Sequence, residues 1–381
     1  MTEAELLANA LQMLQQRLPE GWTVERTAGQ AEGTGDGDGL FLFKAPSDSS
    51  SDVAMVVAKP RFSPVDVDRL LGGLGRRLLE AAGRRPILLV SSYLSPRTRE
   101  LLTDEGISYL DLTGNVRLTM RYPAMFVETV GAQRQPRGQR PQPSATFAGP
   151  NAWRVIRFLV EVEPPYGVLD IERATGIEDE ANKISRGWVS RTLGALADEA
   201  LIRREPRGPV EQVDWPALLR RRGQAVDLFK NTVRTYVAPK GAAGMLDAIP
   251  STEFADKLYL TGSFAAVRIA PIAAPALLVL YMDPDGRPAY FNEVAERFGL
   301  QEASEGGDVA LLRPNSMRPI EDYREAVGLR LVNLPQLVVD CLGGTGRMPA
   351  EGEAVLDWMR ENESAWRASS LDEYLRTKTP R

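Results

Sequence analysis

The stretch from Gly131 to Pro150, GAQRQPRGQRPQPSATFAGP, divides the chain, because it carries no large aliphatic residue and so has no face to bury. Strand-type runs dominate before it and helical periodicity begins after it. Any fold for this chain is therefore assembled from separate pieces on either side of a linker. The linker arginines, Arg134, Arg137 and Arg140, can stay solvated on a tether or touch a phosphate backbone or a minor groove.

Ahead of the linker, Leu6, Leu7, Leu11, Leu14 and Leu18 recur at steps that give a first helix one buried face. Ala28 to Gly39, which includes GTGDGDG, is turn-rich and lacks both the Walker Gly-Lys-Ser/Thr ending and the dinucleotide spacing. GLFLFKA and DVAMVVAK then form paired strands, followed by a helix over Pro64 to Ala82 with Asp66 or Asp68 in its first turn and Arg76 and Arg77 later. RPILLVSS is a fully apolar strand. SPRTRELLTDEG is a helix with Ser95 as N-cap and Gly106 as terminator. ISYLDLTGNVRLTM supplies two strands around a Thr113-Gly114-Asn115 turn. The alternation predicts an α/β domain with a mixed sheet.

The chain's 381 residues suit two or three domains at roughly 100–200 residues each. Histidine is absent and Cys341 is the single cysteine, which excludes a Ser-His-Asp or Cys-His nucleophile, a His-bearing metalloprotease motif and a Cys/His zinc site. A lone cysteine makes no intrachain disulfide, in keeping with a reducing cytoplasm, the expected location. Glu3 and Glu5 stand where a signal peptide would be positive, and the longest apolar run, Ile269 to Met282, contains Pro271 and Pro275 and falls short of the ~20 residues that span a bilayer. No membrane segment, metal or cofactor is expected.

Behind the linker, AWRVIRFLVEV buries Trp153, Ile156, Leu159 and Val160 on one side of a helix. A short helix over Leu169 to Thr175 follows, ending at Gly176, then a longer one from Ser185 to Ala200 with Val189, Leu193, Leu196 and Ala197 on one face. Leu201 to Glu205 and Val210 to Trp215 are short strands joined through Pro206, Arg207, Gly208 and Pro209. A helix bearing Arg220, Arg221 and Arg222 comes next. Three helices and a hairpin in this order are the winged helix-turn-helix pattern, whose third helix faces the major groove. Lys183, Ser185, Arg186, Ser190, Arg191 and Thr192, on or beside that helix, and Arg203, Arg204 and Arg207 in the wing are the candidate DNA-binding residues. From Lys183 to Arg222 nine basic residues stand against five acidic ones, in a chain whose formal net charge is −5. That local inversion points to a polyanion. A solvated protein-interaction face is the alternative.

The remainder mixes strands (KLYLTG, ALLVLYM, VALLRP, RLVNLPQLVVDCL) with helices, including EGEAVLDWMRENESAWR. The organisation expected is an α/β (α+β) multidomain protein: residues 1–131 a nuclease-like mixed-sheet domain, 132–150 a linker, 151–222 the winged helix and 223–381 a C-terminal α/β domain that regulates or binds a partner.

ILLVSSYLSPRTRELLTDEGISYLDLTGNVRL, WVSRTLGALADEALIRREPRGPVEQVDWPALLRRR and YLTGSFAAVRIAP together resemble actinobacterial helix-turn-helix proteins similar to the antitoxins of type IV (AbiEi-type) abortive-infection systems. The resemblance implies DNA binding with autoregulation and a nucleotidyltransferase-like toxin as cognate partner. The first strands also resemble the restriction-endonuclease-like PD-(D/E)xK fold, whose strand ends in carboxylate, spacer and lysine. Here the tripeptide is Val57-Ala58-Lys59, and valine ligates no metal. Asp38, Asp52 and Asp111 are carboxylates that an active, Mg²⁺-dependent variant would have to relocate into the role. Gly262-Ser263 and Asp283-Pro284-Asp285 resemble the triphosphate grip and metal pair of nucleotidyltransferases, although DPDG also makes a type I turn. GGTGR from Gly343 to Arg347 reads as a helix-ending loop, and Asp111, Asn115 and Arg117 sit around a tight turn that is either purely structural or the rim of a ligand pocket. The expectation is a non-enzymatic, sequence-specific binder of double-stranded DNA that regulates transcription as a homodimer. A nuclease and a toxin-binding interaction protein are the competing readings.

Overall fold

A computed structural model describes residues 2–27, 38–46, 51–71, 85–133, 147, 149–177, 184–205, 208–282, 290–317 and 319–378. The protein is a mixed α/β chain built on two large mixed sheets, and it divides into two compact units, residues 1–143 with 195–200 and residues 144–194 with 201–381.

The first unit runs α1 (Glu3–Gln15), β1 (Thr23–Thr27), β2 (Asp38–Lys44), β3 (Ser51–Ala58), α2 (Pro64–Leu71), β4 (Ile87–Ser91), α3 (Pro96–Asp104), β5 (Ser108–Asp111), β6 (Val116–Arg121) and β7 (Ala124–Thr129). Its seven strands lie in chain order. The central β3, β4 and β5 are parallel and the outer pairs antiparallel. The centre is buried on both faces. Val56, Ala58, Leu88 and Val90 point toward α1, while Val57 and Leu89 join Val67, Leu70 and Leu102 of α2 and α3. Two-sided burial is why these strands read as unbroken apolar runs.

Local signals are met where they are strongest. Thr2 and Glu5 close a capping box on α1, and Ser95 accepts from the Thr98 N–H at 3.1 Å to start α3. Gly106 ends that helix at φ +67°, a conformation that favours glycine. GTGDGDG lies largely outside the described residues, as do Arg76, Arg77 and the linker arginines. β1 and β7 extend the sheet at its two edges beyond the strands read from sequence.

The second unit begins with α4 (Pro150–Glu161), α5 (Val168–Ile177), α6 (Arg186–Asp198), β8 (Ile202–Arg204), β9 (Val210–Val213) and α7 (Trp215–Ala225). It continues through β10 (Thr232–Val237), α8 (Gly241–Ala248), β11 (Leu258–Thr261), α9 (Gly262–Ala266), β12 (Leu278–Met282), α10 (Tyr290–Phe298), β13 (Gln301–Glu302), β14 (Val309–Arg313), β15 (Tyr323–Ala326), β16 (Leu329–Val332), α11 (Leu334–Leu342), α12 (Met348–Glu361) and α13 (Leu371–Lys378). Seven of its strands form a mixed sheet in the order β13-β10-β14-β12-β11-β16-β15.

Two expectations are corrected here. RLVNLPQLVVDCL is strand only as far as Val332. Asn333 then accepts from the Gln336 N–H at 2.8 Å and Pro335 sits in the first turn, so the rest is helix α11. Nor does α4 bury a single side: every residue from Ala152 to Glu161 is buried, including Arg154 and Arg157. Helices α5, α7 and α11 pack on it, and the segment after α12 returns to it, pairing Ala368 with Val162 and setting Tyr374 edge-on to Phe158 at 5.5 Å. Glycine permits α7 and α11 to approach each other closely, since a Cβ on Gly223 of α7 would come within 2.5 Å of Leu342 on α11. Among the described residues, no helix is long and apolar enough to cross a membrane.

Candidate nucleic-acid interface

Helix α6 begins beside Ser185, whose hydroxyl lies 3.4 Å from the Trp188 N–H. Val189, Leu193 and Leu196 are buried, at three- and four-residue steps. The opposite arc exposes Arg186, Gly187, Ser190, Arg191 and Gly194, and Ser185 is exposed just ahead of it. This face is polar and basic at its sides and flat between them. A Cβ on Gly187 would stand 3.6 Å from Nη1 of Arg191, and one on Gly194 would meet nothing.

Thr192 does not belong to that face. It is 1% exposed and its hydroxyl donates to the Trp188 carbonyl at 3.0 Å. The correction was available from spacing: Thr192 stands three residues after Val189 and four before Leu196, on the apolar stripe. Lys183 and Arg207 lie outside the described residues. Arg186 is 69% exposed along its side chain, yet its Nε meets Oε2 of the mostly buried Glu172 on α5 at 2.6 Å. Glu172, which the spacing argument did not single out, thus holds one nitrogen of Arg186 and leaves the remaining donors facing solvent.

In the hairpin, Arg203 is exposed opposite Gln212, and the register shifts between Arg203 and Arg204. Arg204 is half-buried, and its Nη1 is enclosed without an acceptor among the described residues. Tyr166, between α4 and α5, forms a single antiparallel bridge to Val210 of the hairpin. Beside the hairpin, Glu163, Glu211 and Asp214 line a shallow groove next to Arg367, so that side is acidic.

The triplet Arg220, Arg221 and Arg222 is not part of a basic surface, which corrects the local charge balance drawn from the sequence. Arg220 is ion-paired in bidentate fashion with Glu353 on α12, at 2.8 Å for the shortest contact. Arg221 lies 4.6 Å from the centroid of the Phe147 ring. Arg222 is buried, donates to the carbonyls of Phe147 and Gly149, and sits 5.4 Å from the Trp153 ring. Burial lowers its pKa to about 10, with Asp340 and Tyr281 opposing the shift.

Behind Arg222 lies a polar cluster that the sequence reading missed. Asp340 of α11 accepts from Gln336 Nε2 at 2.6 Å, Thr261 Oγ1 at 2.7 Å and the Tyr281 hydroxyl at 3.1 Å. Burial raises its pKa to about 6 against these hydrogen bonds and the Arg222 charge. The one signal for it was an aspartate inside the apolar run LVVDCL. Nearby, the Ser263 hydroxyl donates to Glu351 at 2.5 Å, and a Cβ on Gly262 would lie 2.9 Å from Met348 Cε. Gly262-Ser263 is therefore covered by α12, leaving no open cradle for a triphosphate, and Asp283 and Asp285 lie outside the described residues.

In the first unit, Lys59 is exposed at the end of β3, its ammonium 5.7 Å from the Phe62 ring centroid. Asp111 is fully buried, and its oxygens accept from Leu94 N, Thr113 N and Oγ1, and Asn115 N and Nδ2. A carboxylate so occupied ties two loops together and has no lone pair left for Mg²⁺. Asp52 accepts from the adjacent Val53 N–H, and the side chain of Asp38 lies outside the described residues. Asn115 and Arg117 are likewise engaged, Asn115 with the Ala132 carbonyl and Arg99, Arg117 with Glu128. Among the described residues, no three Asp, Glu, Cys or His side chains converge to hold a metal ion. No family model, curated protein or solved structure matches this chain.

Proposed function

We propose that the protein is a sequence-specific binder of double-stranded DNA that regulates transcription, with residues 151–222 acting as a winged helix-turn-helix. The observation that carries this reading is the exposed arc of α6, where Arg186, Ser190 and Arg191 share one face while the buried residues occupy the other. Helix order and the two-stranded hairpin β8–β9 after α6 support it, because a wing following the third helix is the expected companion of such a reader. Arg203 and Arg204 would contact backbone or minor groove from the wing. The reader is smaller than the charge count indicates, since the α7 arginines face inward.

Under the same reading, the first unit is a PD-(D/E)xK-like scaffold without cleavage, with valine at the ligand position and Asp111 engaged in loop closure. The resemblance to AbiEi-type antitoxins extends the proposal to autoregulation in the cytoplasm and to a nucleotidyltransferase-like toxin as cognate partner. Fluorescence anisotropy on the DNA upstream of the protein's own gene, repeated over a salt series, tests the core claim. Affinity should fall with salt at a log–log slope of about −3 to −4 if Arg186, Arg191, Arg203 and Arg204 each neutralise a phosphate. A flat salt response, or equal affinity for unrelated duplexes at every salt concentration, overturns it.

A further inference from the structure

Four strands end the two sheets: β1, β7, β13 and β15. An edge strand offers a row of unpaired N–H and C=O groups, which proteins blunt with charge, brevity or a cover. β1 carries Glu25 and Arg26, β15 carries Arg324 and Glu325, and β13 is two residues long. Among the described residues, β7 has no comparable device. It reads AMFVET, and its one charge, Glu128, is ion-paired with Arg117 of β6 at 3.0 Å.

The solvent face of this edge is apolar as well. Met125 and Val127 turn toward the core, whereas Phe126 is 56% exposed, Tyr122 just before the strand 83% and Val130 just after it 78%. The Arg117 guanidinium lies 5.2 Å from the Phe126 ring centroid, opposite the open edge.

We propose that β7 is the homodimerisation edge of this protein, pairing antiparallel with β7 of a second copy about a twofold axis at Phe126. The register follows from the side chains. Centring on Phe126 sets the two rings opposite each other, brings Val130 beside the partner subunit's Tyr122, and places Glu128 opposite the partner subunit's Ala124. Aromatic and β-branched residues thus meet across the strands and no like charges are opposed. A shift of two residues puts Phe126 against Glu128 or Ala124 instead. A shift of one places outward side chains against inward ones. The same strand is complementary to itself, as an isologous interface requires.

Sedimentation velocity and light scattering over a concentration series test this directly. The full chain should dimerise, and Phe126→Glu, which opposes two carboxylates on the axis, should raise the dimer dissociation constant by about tenfold or more. Its thermal unfolding at dilute, monomeric concentration should match that of the unaltered chain. Val130→Glu should weaken the dimer, and adding Tyr122→Lys in the same chain should restore it, because only this register sets the two together. A chain that is monomeric at every concentration overturns the proposal, as does a dimer that survives Phe126→Glu and Val130→Glu. Either result leaves DNA binding to be judged by its own experiment, since a monomer can still bind its operator.

Discussion

Two groups of arginines lie close in sequence and have opposite fates. Arg186, Arg191 and Arg203 project from α6 and β8 into solvent, while Arg220, Arg221 and Arg222 of α7 turn toward Glu353, Phe147 and the carbonyls of Phe147 and Gly149. Residue type is the same. What differs is the surroundings: α7 packs against α4 and α11, so Arg222 is enclosed and the half-buried Arg220 and Arg221 lie against an acceptor and an aromatic face. The lesson is that a net charge summed along a segment is not a surface potential. Three of the nine basic residues counted in this region stabilise the fold rather than present charge.

The sharpest test of the contrast is Arg222→Leu. It removes the donor to two buried carbonyls and the cation nearest Asp340, so urea unfolding should show a loss of about 3–5 kcal/mol. Arg191→Ala should stay within about 0.5 kcal/mol of the unaltered protein. Equal losses for the two would erase the distinction between inward and outward groups.

Next in size is the pH response of Asp340, which has Arg222, Tyr281 and the adjacent Cys341 as ionisable neighbours. Its pKa rises from the usual 3.8 to about 6 in the folded state, so the folded protein holds this proton more tightly than the unfolded chain. The stability it contributes is complete below about pH 4 and is lost as the pH climbs through 6, a change of roughly 3 kcal/mol. Asp340→Asn should flatten that part of the stability–pH curve in denaturant melts. An unchanged curve would place the titration elsewhere.

For the outward group, Arg186→Ala and Arg191→Ala should each weaken operator binding about tenfold, with a shallower salt slope; melting temperature should hold for Arg191→Ala and fall for Arg186→Ala, which takes the ion pair from the mostly buried Glu172. Arg220→Ala should leave binding unaffected, and a matching loss there would return α7 to the interface. The smallest effect expected is at Gly194, where a methyl group meets open space on the exposed arc. Gly194→Ala should raise stability by about 0.5–1 kcal/mol through helix propensity. If the flat strip lies against DNA, it should also lower affinity; improved stability with unchanged affinity would locate the contact away from Gly194.

Much of the architecture was legible wherever one local rule acts alone. Ser95 and Gly106 bracket α3 because a cap and a left-handed terminator need only their neighbouring residues. The apolar runs of β3 and β4 were readable as strands of a mixed sheet. Legibility failed where two rules compete in one stretch, as at Asn333-Leu334-Pro335, where β-branched residues on either side masked an N-cap. It failed again at Thr192, read by its polarity when its spacing assigns it to the apolar face.

The candidate interface divides in the same way. The spacing of Val189, Leu193 and Leu196 determines by itself that Arg186, Ser190 and Arg191 share the opposite arc, because helical geometry relates residues three and four apart without help from the rest of the chain. Composition alone likewise removed histidine and disulfide chemistry. That Glu172 would hold Arg186 and that Arg222 would lie buried near Asp340 depended on segments separated in sequence coming together. Only the tertiary structure decided these, because desolvation and pairing are set by which groups share a packed volume, and no local pattern encodes that.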